Sequence, residues 1–394
     1  MFRFNHLSIK NWKNFNSAEM PIGDRMFIVG ANASGKSNLM DVFRFLRDVA
    51  DSGLVKAVES RGGIKKLRYL NARNPNYIEI STDIEETSPN EMGLKKNSWL
   101  YTLQFNSTGG GNNTVNISAE FIKRNDEIIL DRKYNDERED YLSRQFTYLE
   151  QPAMNVGYRG IYDFFKAISY VNIIPQLIRE SHIFVPAVSY EDFYGRNLID
   201  IMADAPERTR KGRLKIIENI LRMAVPNFSD LEFVQDERGR PHLQIRYEHF
   251  RPHGAFQKED QFSDGTLRLI GLIWAILSGD GLLLLEEPEL YLHTEIIRQL
   301  PLFIEKAQRQ KNGFTRQTII SSHSFDILNT ENVRADEIAV LKPEREATGI
   351  TMADSIDEVN QMIDAGFTPA DAITPVVTPK GIADGQLARF EIAR

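Results

Sequence analysis

Residues Gly30-Ala31-Asn32-Ala33-Ser34-Gly35-Lys36-Ser37 match the pattern of a phosphate-binding loop, which is the strongest indication of fold in the sequence. A short apolar strand at residues 26–29 precedes it, and a helix with one apolar face follows it. Glycines let the backbone curl so that successive N–H groups face phosphate oxygens at a helix N-terminus. In such a loop Lys36 reaches the β- and γ-phosphates, and the Ser37 hydroxyl holds Mg²⁺. The sequence therefore predicts a nucleoside triphosphate site in an α/β core.

A second signal is the run Leu282-Leu283-Leu284-Leu285, which leads directly into Glu286-Glu287-Pro288-Glu289. Four leucines are typical of a central strand that is buried on both faces. Carboxylates at its end can hold the water shell of a metal ion and polarise an attacking water. The alternative is a buried strand followed by a solvated acidic turn, and the loop upstream makes that interpretation the weaker one.

Two shorter motifs complete the pattern. Ser263-Asp264-Gly265 precedes a helix that is apolar on nearly every side, and His323 ends the β-branched strand at residues 318–322. Ser263 is either a simple helix N-cap or the start of an anion-binding helix that meets a phosphate held by another subunit. A lone histidine is usually structural, but its position after the acidic strand favours a place in the site.

The order of these motifs resembles that of the ABC-class ATPases of the RecF, SMC and OLD type. The resemblance implies a Walker A loop at residues 30–37, a signature at residues 263–265, a Walker B acid at Glu286, a catalytic Glu287 and a switch histidine at His323. It also implies that Lys13, beside the first strand, lies near the nucleotide. The nucleotide-binding residues implied are Gly30, Asn32, Ala33, Ser34, Gly35, Lys36, Ser37, Asn38, Lys13, Ser263, Asp264 and Gly265. Ser37 and Glu286 would hold the metal, and Glu287 and His323 would be catalytic.

This sequence departs from the family pattern at three positions. Glu286 stands where Asp is commoner, Asp264 replaces a signature glycine, and Thr294 stands where many relatives have proline. None of these changes removes a group that hydrolysis needs. The glutamine of the family's Q-loop has no clear counterpart, and Gln104 is the candidate that the sequence offers.

The resemblance implies ATP and Mg²⁺ as cofactors and a head-to-head homodimer, or a higher oligomer, that closes on ATP. Each signature serine would cap the γ-phosphate held by the other head, and hydrolysis would release the dimer. Free-standing AAA-family ATPase subunits of antiphage defence, the Septu and PARIS ATPases among them, are similar and act with an effector protein. Too few residues follow His323 for a nuclease domain, so we expect a separately encoded effector, a nuclease in the first instance. A RecF-like DNA repair or maintenance ATPase and an ATP-gated protein sensor are the alternatives.

DNA binding stays open at this stage. Five cations fall within eight residues at a predicted helix start: Arg208, Arg210, Lys211, Arg213 and Lys215. They either follow DNA phosphates, with an affinity that falls as salt rises, or form a solvated face balanced by Asp204 and Glu207. Aromatic residues for base stacking are not interleaved with them.

Composition excludes several other classes. The 394 residues carry a formal net charge of −7 and contain no cysteine, so thiol nucleophiles, zinc–thiolate sites, iron–sulfur clusters and disulfides are excluded. With no secretory signal and no apolar run of about 20 residues, we expect a cytoplasmic protein without a membrane partner.

Other nucleotide-binding classes fit the motifs less well. A small-molecule kinase does not need the signature motif, and a transporter ATPase usually has fewer residues between the phosphate-binding loop and the signature. A GTPase is disfavoured because no guanine-reading Asn-Lys-x-Asp motif is present.

The predicted fold class is α/β, an ABC-type ATPase head with a layered P-loop core, an antiparallel β lobe and a helical insertion. Sustained heptads are missing, so no long coiled coil is expected. The predicted divisions are an N-terminal ATPase lobe at 1–150, a helical insertion at 151–228, a C-terminal ATPase lobe at 229–342 and a tail at 343–394. Within them we predict an antiparallel β region over 77–130, a helix over 207–224 and a hairpin around Arg238-Gly239. The tail is interrupted by Pro369, Pro375 and Pro379, which predicts a docking strap or partial disorder.

Overall fold

The computed structural model describes residues 1–72, 76–90, 93–107, 114–133, 141–181, 194–248, 255–308 and 316–378. The chain divides into two compact units. Unit 1 comprises the described residues of Met1–Ser169, Asp280–Leu284 and Arg309–Arg394, and unit 2 comprises those of Tyr170–Gly279 and Leu285–Gln308.

The secondary-structure elements follow one another in this order. They are β1 (Phe2–Trp12), β2 (Phe15–Pro21), β3 (Arg25–Gly30), α1 (Lys36–Ser52), α2 (Leu54–Glu59), α3 (Ile64–Leu67), β4 (Ile78–Asn90), β5 (Gly93–Ser107), β6 (Val115–Arg124), β7 (Glu127–Lys133), α4 (Arg159–Lys166), β8 (Ser169–Val171), α5 (Pro175–Arg179), α6 (Leu198–Asp204), α7 (Glu207–Ala224), β9 (Phe228–Gln235), β10 (Pro241–Tyr247), β11 (Ala255–Lys258), α8 (Asp264–Ile276), β12 (Leu283–Glu286), α9 (Thr294–Gln308), β13 (Thr318–Ser322), β14 (Ile338–Pro343), β15 (Thr348–Met352), α10 (Asp357–Asp364) and α11 (Pro369–Val377). The longest of these helices, α7, has 18 residues, in keeping with the prediction of no long coiled coil.

An antiparallel sheet of six strands forms the β lobe of unit 1, in the order β2-β1-β4-β5-β6-β7. Its central strands follow the predicted period of two. Tyr101, Leu103 and Phe105 on β5 are buried, whereas Thr102 and Gln104 between them are only partly covered. The prediction of an antiparallel region is confirmed, and the sheet also includes β1 and β2, which pair through a tight turn.

A mixed sheet carries the phosphate-binding loop, in the order β15-β14-β3-β13-β12-β8. β3 pairs in parallel with both β13 and β14, and every residue of β3 is buried. The Leu283 N–H, where β12 begins, donates to the carbonyl of Gln317 at 2.9 Å, and the Ser169 N–H donates to the Leu282 carbonyl at 2.8 Å. Because parallel strands end at the same edge of a sheet, the loop after β3 and the residues after β13 are neighbours.

The helix after the loop is built as its apolar spacing predicts. Leu39, Val42, Phe43, Leu46 and Val49 of α1 are all buried, at positions three or four residues apart that share one helix face. The helix ends where the chain reaches Gly53, whose φ of 91° is the left-handed conformation that favours glycine.

Unit 2 packs around α8, a helix whose side chains are buried on nearly every side. The predicted helix over 207–224 is α7, and the predicted hairpin is the antiparallel pair β9–β10, with its turn at Asp236–Arg240. The sequence did not indicate β11, which adds a third strand to this sheet, or the short strand β8.

The tail differs from its prediction. Prolines suggested a strap or partial disorder, but β15 pairs with β14, and α10 and α11 follow it. Pro369 occupies the first turn of α11, where its missing N–H costs nothing, and the Thr368 hydroxyl caps the helix. The prediction is wrong for residues 348–377, and Pro379 lies outside the described residues.

Unit 1 contains a buried carboxylate in its β lobe. Glu120, on β6, is fully buried and accepts hydrogen bonds from the backbone N–H groups of Tyr148 at 2.7 Å and Leu149 at 3.1 Å. Burial raises the pKa of Glu120 to about 7, although these two hydrogen bonds and the nearby Arg132 oppose the shift. The group therefore changes charge near neutral pH, unlike an exposed glutamate.

Candidate nucleotide-binding site

The phosphate-binding loop joins β3 to α1 in unit 1. A Cβ on Gly30 would lie 2.7 Å from the Leu341 carbonyl oxygen and 2.5 Å from the Ser34 Oγ, so a larger residue would push the loop off β14. Gly35 has a φ of 102°, which favours glycine. No side chain caps the start of α1, and its first turn contains no acidic residue. The loop therefore offers backbone N–H groups and the positive end of a 17-residue helix to an anion.

Lys36 lies within this loop. Its side chain is buried, and Nζ donates to the carbonyl oxygens of Gly30 at 2.7 Å and Ala31 at 3.1 Å. The same Nζ atom lies 3.1 Å from Nδ1 of His323, which follows β13. Asn32, Ala33 and Ser37 are exposed in the loop. Unit 1 thus brings the loop, Lys36 and His323 together, as the motif order suggested.

Lys13 lies in the turn between β1 and β2, but its ammonium contacts a helix side chain. Nζ donates to Asp41 Oδ2 on α1 at 2.6 Å, and Arg61 also binds this carboxylate, with contacts of 2.9 Å. Burial alone would raise the Asp41 pKa, but Arg61 and Lys13 outweigh it, so the pKa is lowered. In this structure Lys13 therefore serves as a partner of Asp41.

Asn14 contacts the loop directly. Its Nδ2 donates to the Ser34 carbonyl oxygen at 3.3 Å and to Thr348 Oγ1 at 2.7 Å. Asn38 Nδ2 donates to Asn14 Oδ1 at 2.8 Å, so the predicted residue Asn38 supports the loop through Asn14. The Thr348 hydroxyl also donates to the Ser34 carbonyl, at 3.1 Å. The sequence offered no signal for Thr348, which lies on β15 in the predicted tail.

The signature residues lie at the start of α8 in unit 2. Ser263 is the N-cap, because its Oγ accepts a hydrogen bond from the Thr266 N–H at 3.2 Å. Asp264 is held by Arg179 at 2.6 Å and Gln176 at 3.1 Å. A Cβ on Gly265 would lie 2.7 Å from the Tyr291 carbonyl oxygen, so a glycine lets the helix approach the turn that follows β12.

The acidic residues lie at the end of β12 in the same unit. Glu286 accepts a hydrogen bond from the Tyr170 hydroxyl, and the carbonyl of Glu287 accepts one from Arg268. Glu287 has a φ of 46°, a left-handed conformation that is rare for a residue with a side chain. Unit 2 therefore places Glu287 against the signature helix, to which Arg268 belongs. Neither Tyr170 nor Arg268 was singled out from the sequence.

Arg268 is itself buried. Its guanidinium donates to the carbonyl of Ile173 as well as to that of Glu287. Burial lowers the pKa of Arg268, against the opposing effect of Glu289 and Glu287. Arg268 thus connects three chain segments of unit 2.

Metal binding has two candidate residues, Ser37 in unit 1 and Glu286 in unit 2. Among the described residues, no group of three or more His, Asp or Glu side chains could hold a metal ion alone. Gln104, the candidate for the Q-loop, lies on β5 and donates to Glu79 at 2.6 Å.

The cations of α7 are mostly engaged within unit 2. Arg210 stacks on Phe233 and donates to the Ala203 carbonyl at 2.8 Å, and Arg213 donates to Ser278 Oγ at 2.8 Å. Lys211 pairs with Glu207 at 2.6 Å, and Lys215 with Glu218 at 3.1 Å. These contacts favour the interpretation of α7 as a packed helix with a solvated, charge-balanced face.

The chain has a mixed α/β fold that resembles the SMC ABC-type head domain, with a mixed sheet that carries the phosphate-binding loop and an antiparallel β lobe. A family model described as "AAA domain, putative AbiEii toxin, Type IV TA system" matches residues 25–329. The chain belongs to this family. None of the helices in the described part of the chain is both long and apolar enough to span a membrane.

Solved structures of Smc heads share the fold. The Smc head bound to the C-winged helix domain of ScpA has a TM-score of 0.52 at 14% identity, over 88% of this chain and 96% of that one. The Smc head domain with an extended coiled coil bound to the C-terminal domain of ScpA, from Pyrococcus furiosus, has a TM-score of 0.50 at 13% identity, over 92% and 100%. No curated protein sequence matches the chain.

Proposed function

We propose that this chain binds ATP with Mg²⁺ and hydrolyses it to ADP and phosphate. The observation that carries the proposal is the buried Lys36 ammonium within the loop, 3.1 Å from His323. Lys36 binds the β- and γ-phosphates, and the loop N–H groups from Asn32 to Ser37 surround them. Ser37 and Glu286 are the residues that would hold Mg²⁺, which neutralises charge that develops on the phosphates.

Hydrolysis is assigned to Glu287, with His323 as its aid. The Glu287 carboxylate orients the attacking water and accepts its proton as the water oxygen bonds to the γ-phosphorus and the bond to ADP breaks. Arg268 keeps this residue in its rare backbone conformation. His323 lies next to Lys36, where it can contact the γ-phosphate as its charge develops.

Hydrolysis is completed between two copies of the chain that close head to head on ATP. Ser263 Oγ of one copy donates to the γ-phosphate held by the other, since this hydroxyl can accept from Thr266 and still donate its own hydrogen. Asp264 and Gly265 approach the same phosphate with their backbone, and Arg179 fixes Asp264 for this purpose. ATP that contacts both copies only in the closed state stabilises that state by mass action. In a higher oligomer built from such dimers, each pair of heads hydrolyses ATP in the same way.

In the cell, the closed dimer controls a separately encoded effector, a nuclease, in antiphage defence. The family description, which names the AbiEii toxin and type IV toxin–antitoxin systems, supports this role. The structure of an Smc head bound to a winged-helix domain of ScpA supports a head that acts through a partner protein. The division at 1–150, 151–228, 229–342 and 343–394 stays a prediction of how the chain is organised for this task.

The nucleotide proposal is tested by measuring equilibrium binding of ATP with Mg²⁺ to the wild-type chain and to Lys36→Ala. Lys66→Ala, on the exposed side of α3, is the matched control. Binding that is lost only in Lys36→Ala supports the proposal. Equal binding by all three proteins would remove Lys36 from the site, and no binding by the wild-type chain contradicts the proposal.

The biological role is tested by phage plating on cells that express the chain together with the protein encoded beside it. Protection that Glu287→Gln abolishes supports a defence role. Sensitivity to DNA damage after deletion, with no effect on plating, would instead support the repair alternative.

A further inference from the structure

The peptide bond between Ser34 and Gly35 is held from outside the loop by two side chains. The Ser34 carbonyl oxygen accepts hydrogen bonds from Thr348 Oγ1 at 3.1 Å and Asn14 Nδ2 at 3.3 Å. Thr348 and Asn14 also bind each other, through the side-chain contact of 2.7 Å and through a backbone bond of 3.0 Å from the Thr348 N–H to the Asn14 carbonyl. All four residues belong to unit 1.

This contact is buried and firmly placed. Ser34 is fully buried and Thr348 is 5% exposed, so water does not replace the bonds readily. The Tyr69 hydroxyl donates to the Glu346 carbonyl at 2.6 Å, which fixes the turn that leads into β15. On β14, the Leu341 carbonyl lies against Gly30 at the other end of the loop. The pair β14–β15 therefore supports both ends of the phosphate-binding loop.

Planarity of the peptide bond gives this contact a consequence for nucleotide binding. In a trans peptide the C=O and the following N–H point in opposite directions. A Ser34 carbonyl held toward Thr348 and Asn14 makes the Gly35 N–H point in the opposite direction within the peptide plane, away from the hydrogen-bonding atoms of both side chains. Gly35, at φ 102°, has no Cβ to resist rotation of this peptide, so the local chain alone would not keep that direction.

We propose that Thr348 and Asn14 are positioning residues for the nucleotide: they clamp the Ser34–Gly35 peptide so that the Gly35 N–H is directed at phosphate. The clamp rests on the proposed ATP site and adds residues that neither the motif pattern nor the family match singles out. Thr348 does not touch the phosphate; it acts through Ser34. The tail strand β15 is then part of the ATP site's support.

Thr348→Val keeps the shape of the side chain but removes the hydroxyl, and Thr348→Ser keeps the hydroxyl. Thr351→Val, on the same strand and with its side chain partly covered, is the matched control. We expect Thr348→Val to weaken ATP binding about tenfold, the effect of one lost buried hydrogen bond, and Thr348→Ser and Thr351→Val to bind within about twofold of wild type. In turnover, KM should rise in Thr348→Val while kcat stays within about twofold, because Glu287 is untouched.

The midpoint of thermal unfolding, measured without nucleotide, distinguishes a role in ATP binding from a role in the stability of the fold alone. If Thr348→Val loses no more stability than Thr351→Val but loses ATP affinity, the clamp is supported. Asn14→Ala is the second variant. If Thr348→Val does not fold, the clamp still predicts that Asn14→Ala weakens ATP binding. If Thr348→Val and Asn14→Ala both bind ATP with wild-type affinity, the clamp is overturned. The ATP site itself is tested separately by Lys36→Ala. Failure of the wild-type chain to bind ATP would overturn the proposed function itself, and the clamp with it.

Discussion

The Nζ atom of Lys36 lies 3.1 Å from Nδ1 of His323, although 287 positions separate the two residues in the chain. A lysine ammonium is only a donor, so in this contact Nδ1 serves as the acceptor. The contact exists because β3 and β13 pair in parallel and end at the same edge of the sheet. It places His323, the proposed switch histidine, where a γ-phosphate bound by Lys36 would be within reach.

Replacing His323 should slow turnover more than it weakens binding. We expect His323→Ala to lower kcat on the order of 10²-fold, because a group positioned at developing charge is lost, and to change ATP affinity within about threefold. Steady-state turnover and equilibrium binding are the measurements. His6→Ala, on β1 of the β lobe, serves as the control. A variant that turns over at the wild-type rate would remove His323 from the mechanism.

Arg268 should affect ATP turnover, because it binds the backbone of Glu287, the proposed catalytic residue. Arg268→Met leaves the carbonyls of Ile173 and Glu287 without their donor and frees the Glu287 backbone. We expect turnover to fall about tenfold or more with ATP affinity nearly unchanged, and Arg268→Lys to recover only part of it, since an ammonium lacks the guanidinium fork. Arg298→Met, on α9 and paired at the surface with Glu295, is the control. Equal kcat in Arg268→Met and wild type would rule out this coupling.

Glu120 should make the stability of unit 1 depend on pH. Its pKa is about 7 in the folded chain against an ordinary value of 4.5, so the folded state binds the proton more tightly than the unfolded state. This contribution to stability is complete below about pH 4.5 and is lost as the pH rises through about 7, with a slope of up to about 1.4 kcal/mol per pH unit. Urea unfolding of wild type and Glu120→Gln between pH 5 and 8 measures the difference.

The variant should show a flatter stability profile than wild type over that range, because its amide does not titrate. Glu127→Gln, at an exposed position on β7, should keep the wild-type profile. Parallel profiles for all three proteins would show that Glu120 does not carry the pH dependence.

Local patterns made much of the fold predictable. The glycine and lysine spacing of the loop, the apolar spacing of α1 and the limits of α7 depend on neighbouring residues, and all were correct. Motif order predicted that His323 belongs to the site, but it did not predict the contact between His323 Nδ1 and Lys36 Nζ. Thr348 could not be found this way, because it meets Ser34 across 314 positions and its own surroundings indicate only a strand.

Two further residues show the same limit. Tyr170 and Arg268 donate hydrogen bonds to Glu286 and Glu287, respectively. Neither contact produces a pattern in the sequence from which it could be predicted. The prolines of the tail misled for a physical reason. Pro369 lies in the first turn of α11, a position where proline is favoured, whereas proline in a helix interior usually breaks the helix.

In the proposed mechanism, two heads complete ATP hydrolysis together, with Glu287 as the catalytic residue. ATP turnover per protomer, measured against protein concentration for wild type and Glu287→Gln, tests it most directly. We predict a wild-type rate that climbs with concentration and vanishes in the variant, which should bind ATP and stay closed as a dimer. A flat wild-type rate that the variant abolishes would mean an oligomer assembled before ATP binds. A flat rate that survives Glu287→Gln would show that Glu287 is not the catalytic residue and that two heads are not needed for hydrolysis.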